Sequence, residues 1–365
     1  MIYLDHAAAE PIRPEVREYV RSYMDLFYNP SSDYEPANYN YQVIEAVRRQ
    51  IAKMINCSPE EIYFTSGCSE ANAMAISGFL KAHTGGDAIS TQIEHSSIMQ
   101  HPEVSSLIEV DQDGFVDEIC LQKLSEQYDD EDTLWIIQHA NNVIGSIQDI
   151  ESLRSLIPNG TLMVDAAQSF GKIPIDVELL GIDILTASAG KIGSIRGTGF
   201  IYIRKGIDVE PIIYGTQESG LRGGTYFDLG IGAFGAAIEA VDFKESTSVH
   251  LKRNFLIQEL LQIKGVHLVG LREYRLPNNV FIKIDGLSIT STQLVGMLAE
   301  LGFLVSADSA CHAGDPVFSH VLAAIGETPE SAKTCIRITL GKENSVQELN
   351  DFVAALRSII RMYGE

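Results

Sequence analysis

The feature that most constrains this chain is an alternation, from about residue 40 to residue 240, of short β-rich apolar runs with helix-length segments. Residues 41–55 place apolar side chains at 43, 44, 47, 51, 54 and 55, the spacing of one helical face. Strand-like runs follow at 62–64, 88–90, 134–137, 162–164, 182–185 and 199–203, several of them separated by helical stretches such as 69–82 and 149–157. This order predicts an α/β fold with a mainly parallel sheet covered on both faces. Such a sheet takes ligands beyond the carboxyl ends of its strands, so chemistry is to be sought there.

The last third reads as a smaller α+β unit, with helices at 248–263, 291–301, 317–325 and 345–362 and strands at 266–269, 278–283, 303–305 and 334–339. The polar stretch 245–248 gives the expected boundary. The predicted division is therefore an N-terminal segment 1–12 packed on the small domain, a large domain 13–245 and a small domain 246–365. A chain of 365 residues is long enough for two such cores.

Charge narrows the partners. With 27 Lys and Arg against 49 Asp and Glu, the net charge of −22 argues against a nucleic-acid binder. No apolar run reaches membrane-spanning length and the N-terminus lacks a secretory pattern, so a cytoplasmic protein is expected. The five cysteines form no CxxC pair and no metal-ligand spacing, which favours a reducing compartment and predicts no metal.

Several predicted strand ends carry reactive groups. The run 62–64 leads into Thr65-Ser66-Gly67-Cys68-Ser69-Glu70 and a helix, a geometry that suits an anion but equally an ordinary capped terminus. His95 follows the next strand region, as a site group or a structural one. Asn141 and Asn142 suit ligand fixing or chain reversal. The run 162–164 delivers Asp165 and then Gln168, while 182–185 leads to Ser188 and Lys191. A carboxylate and a lysine on neighbouring strand ends make a plain ion pair, or they serve pyridoxal phosphate. Lysine would form the Schiff base, and aspartate would hold the pyridine nitrogen protonated.

The ordered motifs FTSGCSEANA (64–73), EHSSIM (94–99), DAAQSFGKIPID (165–176), SAGKIG (188–193), GTQESGLRGGT (215–225), SADSACHAG (306–314) and IRITLG (336–341) extend this over nearly the whole chain. With them the sequence resembles the cysteine desulfurases of the class V aminotransferase superfamily. That resemblance implies the aspartate aminotransferase-like fold (fold type I), a pyridoxal 5′-phosphate cofactor, L-cysteine as substrate and a homodimer. It places the Schiff-base lysine at Lys191, the ring-nitrogen partner at Asp165, the ring-oxygen contact at Gln168 and the stacking, proton-moving histidine at His95. Cys68, Ser69 and Ser188 match phosphate contacts, and Thr225 matches one supplied by the other subunit. Asn142 and Arg337 match substrate-carboxylate groups, with Arg222 nearby. Cys311 matches the nucleophile that becomes a persulfide, in a small polar loop; Cys57, Cys68, Cys120 and Cys335 keep structural readings, Cys68 serving mainly through its backbone.

The implied reaction converts L-cysteine to L-alanine and passes sulfur to an acceptor protein, of the iron–sulfur scaffold or tRNA-thiolation type. A related lyase or transaminase, such as a selenocysteine or cysteine β-lyase, and a non-catalytic scaffold are the alternatives. The sequence also departs from the family pattern. Gly190 stands where a phosphate-binding histidine usually precedes the lysine, Ser194-Ile195 replaces Gly-Pro, and Asp308 replaces a glycine near Cys311.

Overall fold

In this computed structural model the structure describes residues 1–128, 130–307 and 319–364. The expected loop carrying Asp308, Cys311 and His312 lies outside the described residues.

The large sheet has the order β2-β8-β7-β6-β5-β3-β4, formed by β2 (Ile62–Thr65), β3 (Asp87–Thr91), β4 (Val104–Ile108), β5 (Thr133–Gln138), β6 (Thr161–Asp165), β7 (Ile184–Ser188) and β8 (Gly199–Ile203). Strands β4, β3, β5, β6 and β7 pair in parallel, and β8 is antiparallel to both β7 and β2. Six strands thus end at one edge, where β8 begins. Alternate side chains enter opposite cores: Trp135, Leu162, Val164 and Leu185 on one face, Leu134, Ile136, Met163 and Ile184 on the other. Continuous apolar strands are what two covered faces require.

The helix predicted over 41–55 starts earlier, at Glu35, because a proline in its first turn is preorganised there. It ends where Asn56 turns left-handed at φ 59°. The strand expected at 182–185 is displaced to Ile184–Ser188. Asp183 is committed elsewhere: its carboxylate accepts the Leu162 N–H at 2.9 Å and pairs with Arg204 at 3.1 Å. The helix Asp228–Glu239 had no sequence signal because its glycines weaken helix propensity. They serve packing instead; a Cβ on Gly232 would strike the Tyr19 hydroxyl of the helix Pro14–Tyr23.

A second, antiparallel sheet has the order β12-β13-β10-β9, from β9 (Val266–Leu268), β10 (Asn279–Ile284), β12 (Ser306–Ala307) and β13 (Cys335–Thr339). The helices Phe243–Leu260, Ser291–Glu300 and Val346–Tyr363 supply side chains to its core. The first of these runs unbroken through residue 245. The N-terminal strand β1 (Ile2–Tyr3) pairs in parallel with β11 (Phe303–Leu304), and Leu4 joins the small core. A separate apolar cluster joins Ile93, Val143 and Ile144, which follow the large sheet's strands, to Phe281 and Val321 beyond. No helix among the described residues is long and apolar enough to cross a membrane.

Candidate active site

A cavity of about 420 Å³ opens at the carboxyl edge of the large sheet. Strands β2, β3, β5, β6 and β7 contribute through their carboxyl ends and the segments that follow. After β2 come Ser66, Gly67, Cys68 and Ser69; beyond β3 comes His95, and beyond β5 Asn142. Asp165 ends β6 with Gln168 just beyond, and β7 ends in Ser188 with Lys191 three residues on. Arg337 reaches the same cavity from β13 of the second sheet. The sequence-predicted residues that the structure describes are thus brought to one place, apart from Thr225 and Arg222; Cys311 lies outside the described residues. Thr225 and Arg222 line an adjoining cavity of about 150 Å³ that shares Ser66.

Buried bonds fix one end of the site. Asp165 is 1% exposed. Its Oδ1 accepts the Ala167 N–H at 2.8 Å and lies 3.4 Å from the Cys68 thiol, and its Oδ2 accepts from the Asn72 amide at 3.0 Å. The same amide nitrogen donates to Ser97 Oγ at 3.0 Å, leaving that hydroxyl's proton for His95 Nδ1 at 2.9 Å. The Ser97 backbone N–H also points at His95 Nδ1, 3.2 Å away. An Nδ1 that accepts puts the neutral ring's proton on Nε2. Burial pushes the His95 pKa down, helped by Lys191 and opposed by Asp165, so the neutral ring is favoured.

Asn72 was not singled out in the sequence, yet it ties Asp165 to His95. Thr186 Oγ1 donates to its carbonyl at 2.6 Å, and the residue has no exposure. A helix-interior asparagine among alanines is the one signal that could have marked it. The Cys68 thiol also does more than its backbone role predicts. It sits against Asp165 and Thr186, and burial raises its pKa well above the ordinary thiol value. A neutral thiol there contributes contact, not nucleophilicity.

Glu94, next to His95, has no exposure, and burial pushes its pKa up to about 8. Its Oε1 accepts from Thr91 Oγ1 and from the Gln138 N–H, both at 2.6 Å. Its backbone carbonyl lies 2.8 Å from His320 Nε2.

Lys191 Nζ donates to the carbonyls of Ala7 at 2.7 Å and Ala8 at 2.9 Å, and Gln168 Nε2 donates to Ala7 at 3.1 Å. Arg337 is 2% exposed. Its Nη1 donates to the Asn142 carbonyl at 2.8 Å and its Nη2 pairs with Asp5 at 2.9 Å. Its Nε is buried with no hydrogen-bond partner among the described residues. An unpaired guanidinium N–H is a ready donor for a carboxylate. At the β2 turn, burial raises the Glu70 pKa, but bonds from Arg222 (2.8 Å) and the Ser66 N–H (2.8 Å) outweigh this and hold it below its ordinary value.

Comparison with known proteins shows the family. The Aminotransferase class-V family model matches residues 2–352. The cysteine desulfurase IscS of Dictyoglomus turgidum is 37% identical, with 98% of this chain and 94% of the relative covered. That of Methanosarcina thermophila is 34% identical over 99% and 92%. Among solved structures, a NifS-like protein from Rickettsia africae superposes with a TM-score of 0.89 at 31% identity, covering 99% of each chain. The chain belongs to the class-V aminotransferase family of pyridoxal 5′-phosphate enzymes, among its cysteine desulfurases.

Proposed function

We propose that this protein converts L-cysteine to L-alanine, taking the sulfur onto Cys311 as a persulfide and passing it to an acceptor protein. The observation that carries the reading is the convergence of Lys191, Asp165, His95, Gln168 and Arg337 on one cavity.

The donor set fits pyridoxal 5′-phosphate. A buried, hydrogen-bonded carboxylate suits the ring nitrogen, and the Ser66–Ser69 turn with Ser188 offers backbone and hydroxyl donors to a phosphate. The unpaired Arg337 Nε suits the substrate carboxylate. When bound, the cofactor supplies an electron sink for the substrate's α-carbon. Lys191 would hold the cofactor covalently, and its freed amine would move the proton from Cα. Asp165, held in place by Asn72, would keep a proton on the ring nitrogen. His95, neutral with its proton on Nε2, would serve beside the ring as a proton donor. Arg337 and Asn142 orient the substrate so that its Cβ–S bond faces the incoming thiol. In the net transfer the Cβ–S bond breaks, the sulfur bonds to Cys311, and the carbon takes a proton to become the alanine methyl group.

The described residues flanking 308–318 favour Cys311 as acceptor. Ser306 pairs with Arg337 across β12 and β13, and His320 meets the Glu94 carbonyl beside His95. In this reading residues 13–245 hold the cofactor, 246–365 carry the thiol, and 1–12 join the two.

The working form is a homodimer in which Thr225 serves the partner's phosphate. Its place outside the main cavity supports this, as do the exposed aromatics Phe27, Tyr214 and Phe227. A reducing cytoplasm would keep the Cys311 thiol free. With a surface of net charge −22, a basic acceptor suits this chain, and raising salt should slow transfer to it.

The test is to supply cofactor and L-cysteine and to measure alanine, pyruvate, sulfide and protein persulfide together. Alanine in step with persulfide, lost in Cys311→Ser, is expected; pyruvate with free sulfide, unaffected by Cys311→Ser, would replace this reading with β-elimination.

A further inference from the structure

Residue 190 is a glycine, where the resemblance implies a phosphate-binding histidine, so one expected donor is missing from the site. Space at this position is not empty. A Cβ built on Gly190 would meet the Cγ of Arg196 at 3.4 Å and its Cα at 4.0 Å, with nothing else among its nearest neighbours. Arg196 therefore runs alongside the place that a residue-190 side chain would fill. Its side chain also lines the 420 Å³ cavity, together with Ser66, Gly67, Cys68, Ser69, Ser188 and Lys191.

Sheet register explains why. Thr65 pairs with Gly199 across β2 and β8, and Ser188 pairs with Gly199 across β7 and β8. The turn after β2, the end of β7 and the approach to β8 consequently meet at one corner. Arg196 lies on that approach, three residues before Gly199. No ion pair or hydrogen bond engages it among the described residues, whereas the neighbouring Arg222 is taken up by Glu70.

We propose that Arg196 is a phosphate-binding residue of this protein and takes over the role that Gly190 leaves vacant. This rests on the assignment of the cavity to pyridoxal 5′-phosphate. A guanidinium is well matched to a phosphate, offering two parallel N–H donors and a permanent charge where an imidazole offers one donor. The vacancy at 190 leaves the arginine room beside Lys191. The exchange replaces a donor fixed by its neighbour in sequence with one fixed by sheet pairing.

The test compares two ligands that differ only in the phosphate. Cofactor-free protein is titrated with pyridoxal 5′-phosphate and with pyridoxal, each followed by visible absorbance. Arg196→Ala should raise the Kd for the phosphorylated ligand about tenfold or more, the scale of a charge-assisted hydrogen bond. Pyridoxal affinity should move less than twofold. Adding Gly190→His to Arg196→Ala should recover most of the loss, and Arg196→Lys should retain most of the affinity. Because Arg196 is exposed, its variants should fold, and their melting curves without cofactor provide the check. Unchanged pyridoxal 5′-phosphate affinity in Arg196→Ala would overturn the proposal. Equal losses for both ligands would overturn it too, since they would mean damage to the site at large. Failure of the wild type to bind either ligand would instead remove the cofactor assignment itself, a separate and recognisable outcome.

Discussion

The two ends of the 420 Å³ cavity are built on different principles. At one end Asp165, Asn72, Ser97 and His95 are joined by a continuous set of hydrogen bonds, with Asp165 and Asn72 buried to 1% or less. The other end consists of a backbone turn, small hydroxyl side chains and an exposed arginine. A buried network is satisfied only as a whole, so a change in any member leaves an orphaned polar group costing about 1–3 kcal/mol. An exposed set of donors has no such penalty, because water replaces whatever is lost. On the proposed reading, a glycine at 190 costs little beside exposed donors, whereas a loss inside the buried network would leave a polar group stranded.

The sharpest way to break the comparison is at the group between the two ends. Lys191→Ala should abolish the visible absorbance band of the bound cofactor and lower alanine formation roughly a thousandfold or more. A band that survives would mean another lysine carries the cofactor. Next comes the network itself. Asn72→Ala should lower activity by about tenfold or more and destabilise the protein by about 1–3 kcal/mol in denaturant titration. Both ends would then have to be regarded as equally forgiving if activity and stability stayed at wild-type levels. Arg337→Lys tests the substrate side. Loss of the planar fork should raise KM about tenfold while kcat falls less, and a fall in kcat alone would reassign Arg337 to the chemical step.

The smallest effect concerns Glu94. Its folded pKa of about 8 lies above the ordinary value of 4.5, so the native state holds a proton that the unfolded chain releases. Its contribution to stability is therefore full below about pH 4.5 and is lost as pH rises through about 8. Glu94→Gln keeps an acceptor for Thr91 and the Gln138 N–H, and should flatten that decline in melting temperature. An undiminished slope in the variant would assign the decline to other groups.

Much of this was legible in the sequence, for physical reasons. Strands such as β5 and β6 are buried on both faces and therefore read as unbroken apolar runs. Asp165, His95, Gln168, Ser188 and Lys191 could be found because chemistry follows strand ends. Strand β4 escaped because its pattern is interrupted by Ser105 and Ser106, which suit a half-exposed edge. Asn72 and Glu94 escaped because their roles depend on partners distant in sequence: Asn72 bonds Asp165, and Glu94 bonds the Gln138 backbone. Arg196 was hidden for the same reason. Its position beside Ser66 follows from β8 running antiparallel to β2, a register that periodicity does not carry.

The carbonyls of Ala7 and Ala8 that receive Lys191 carry a consequence for biosynthesis. Their segment leaves the ribosome long before its partners, for it is seated by Asp5 against Thr339 and by β1 against β11. Contacts of such sequence separation form late. A nascent chain that has not yet made β13 thus lacks the Thr339 contact that seats the segment carrying the lysine's hydrogen-bond partners. The lysine's surroundings are thus assembled from segments more than 180 residues away on one side and, through Thr339, about 150 on the other, so its hydrogen bonds report on the folding of both sheets.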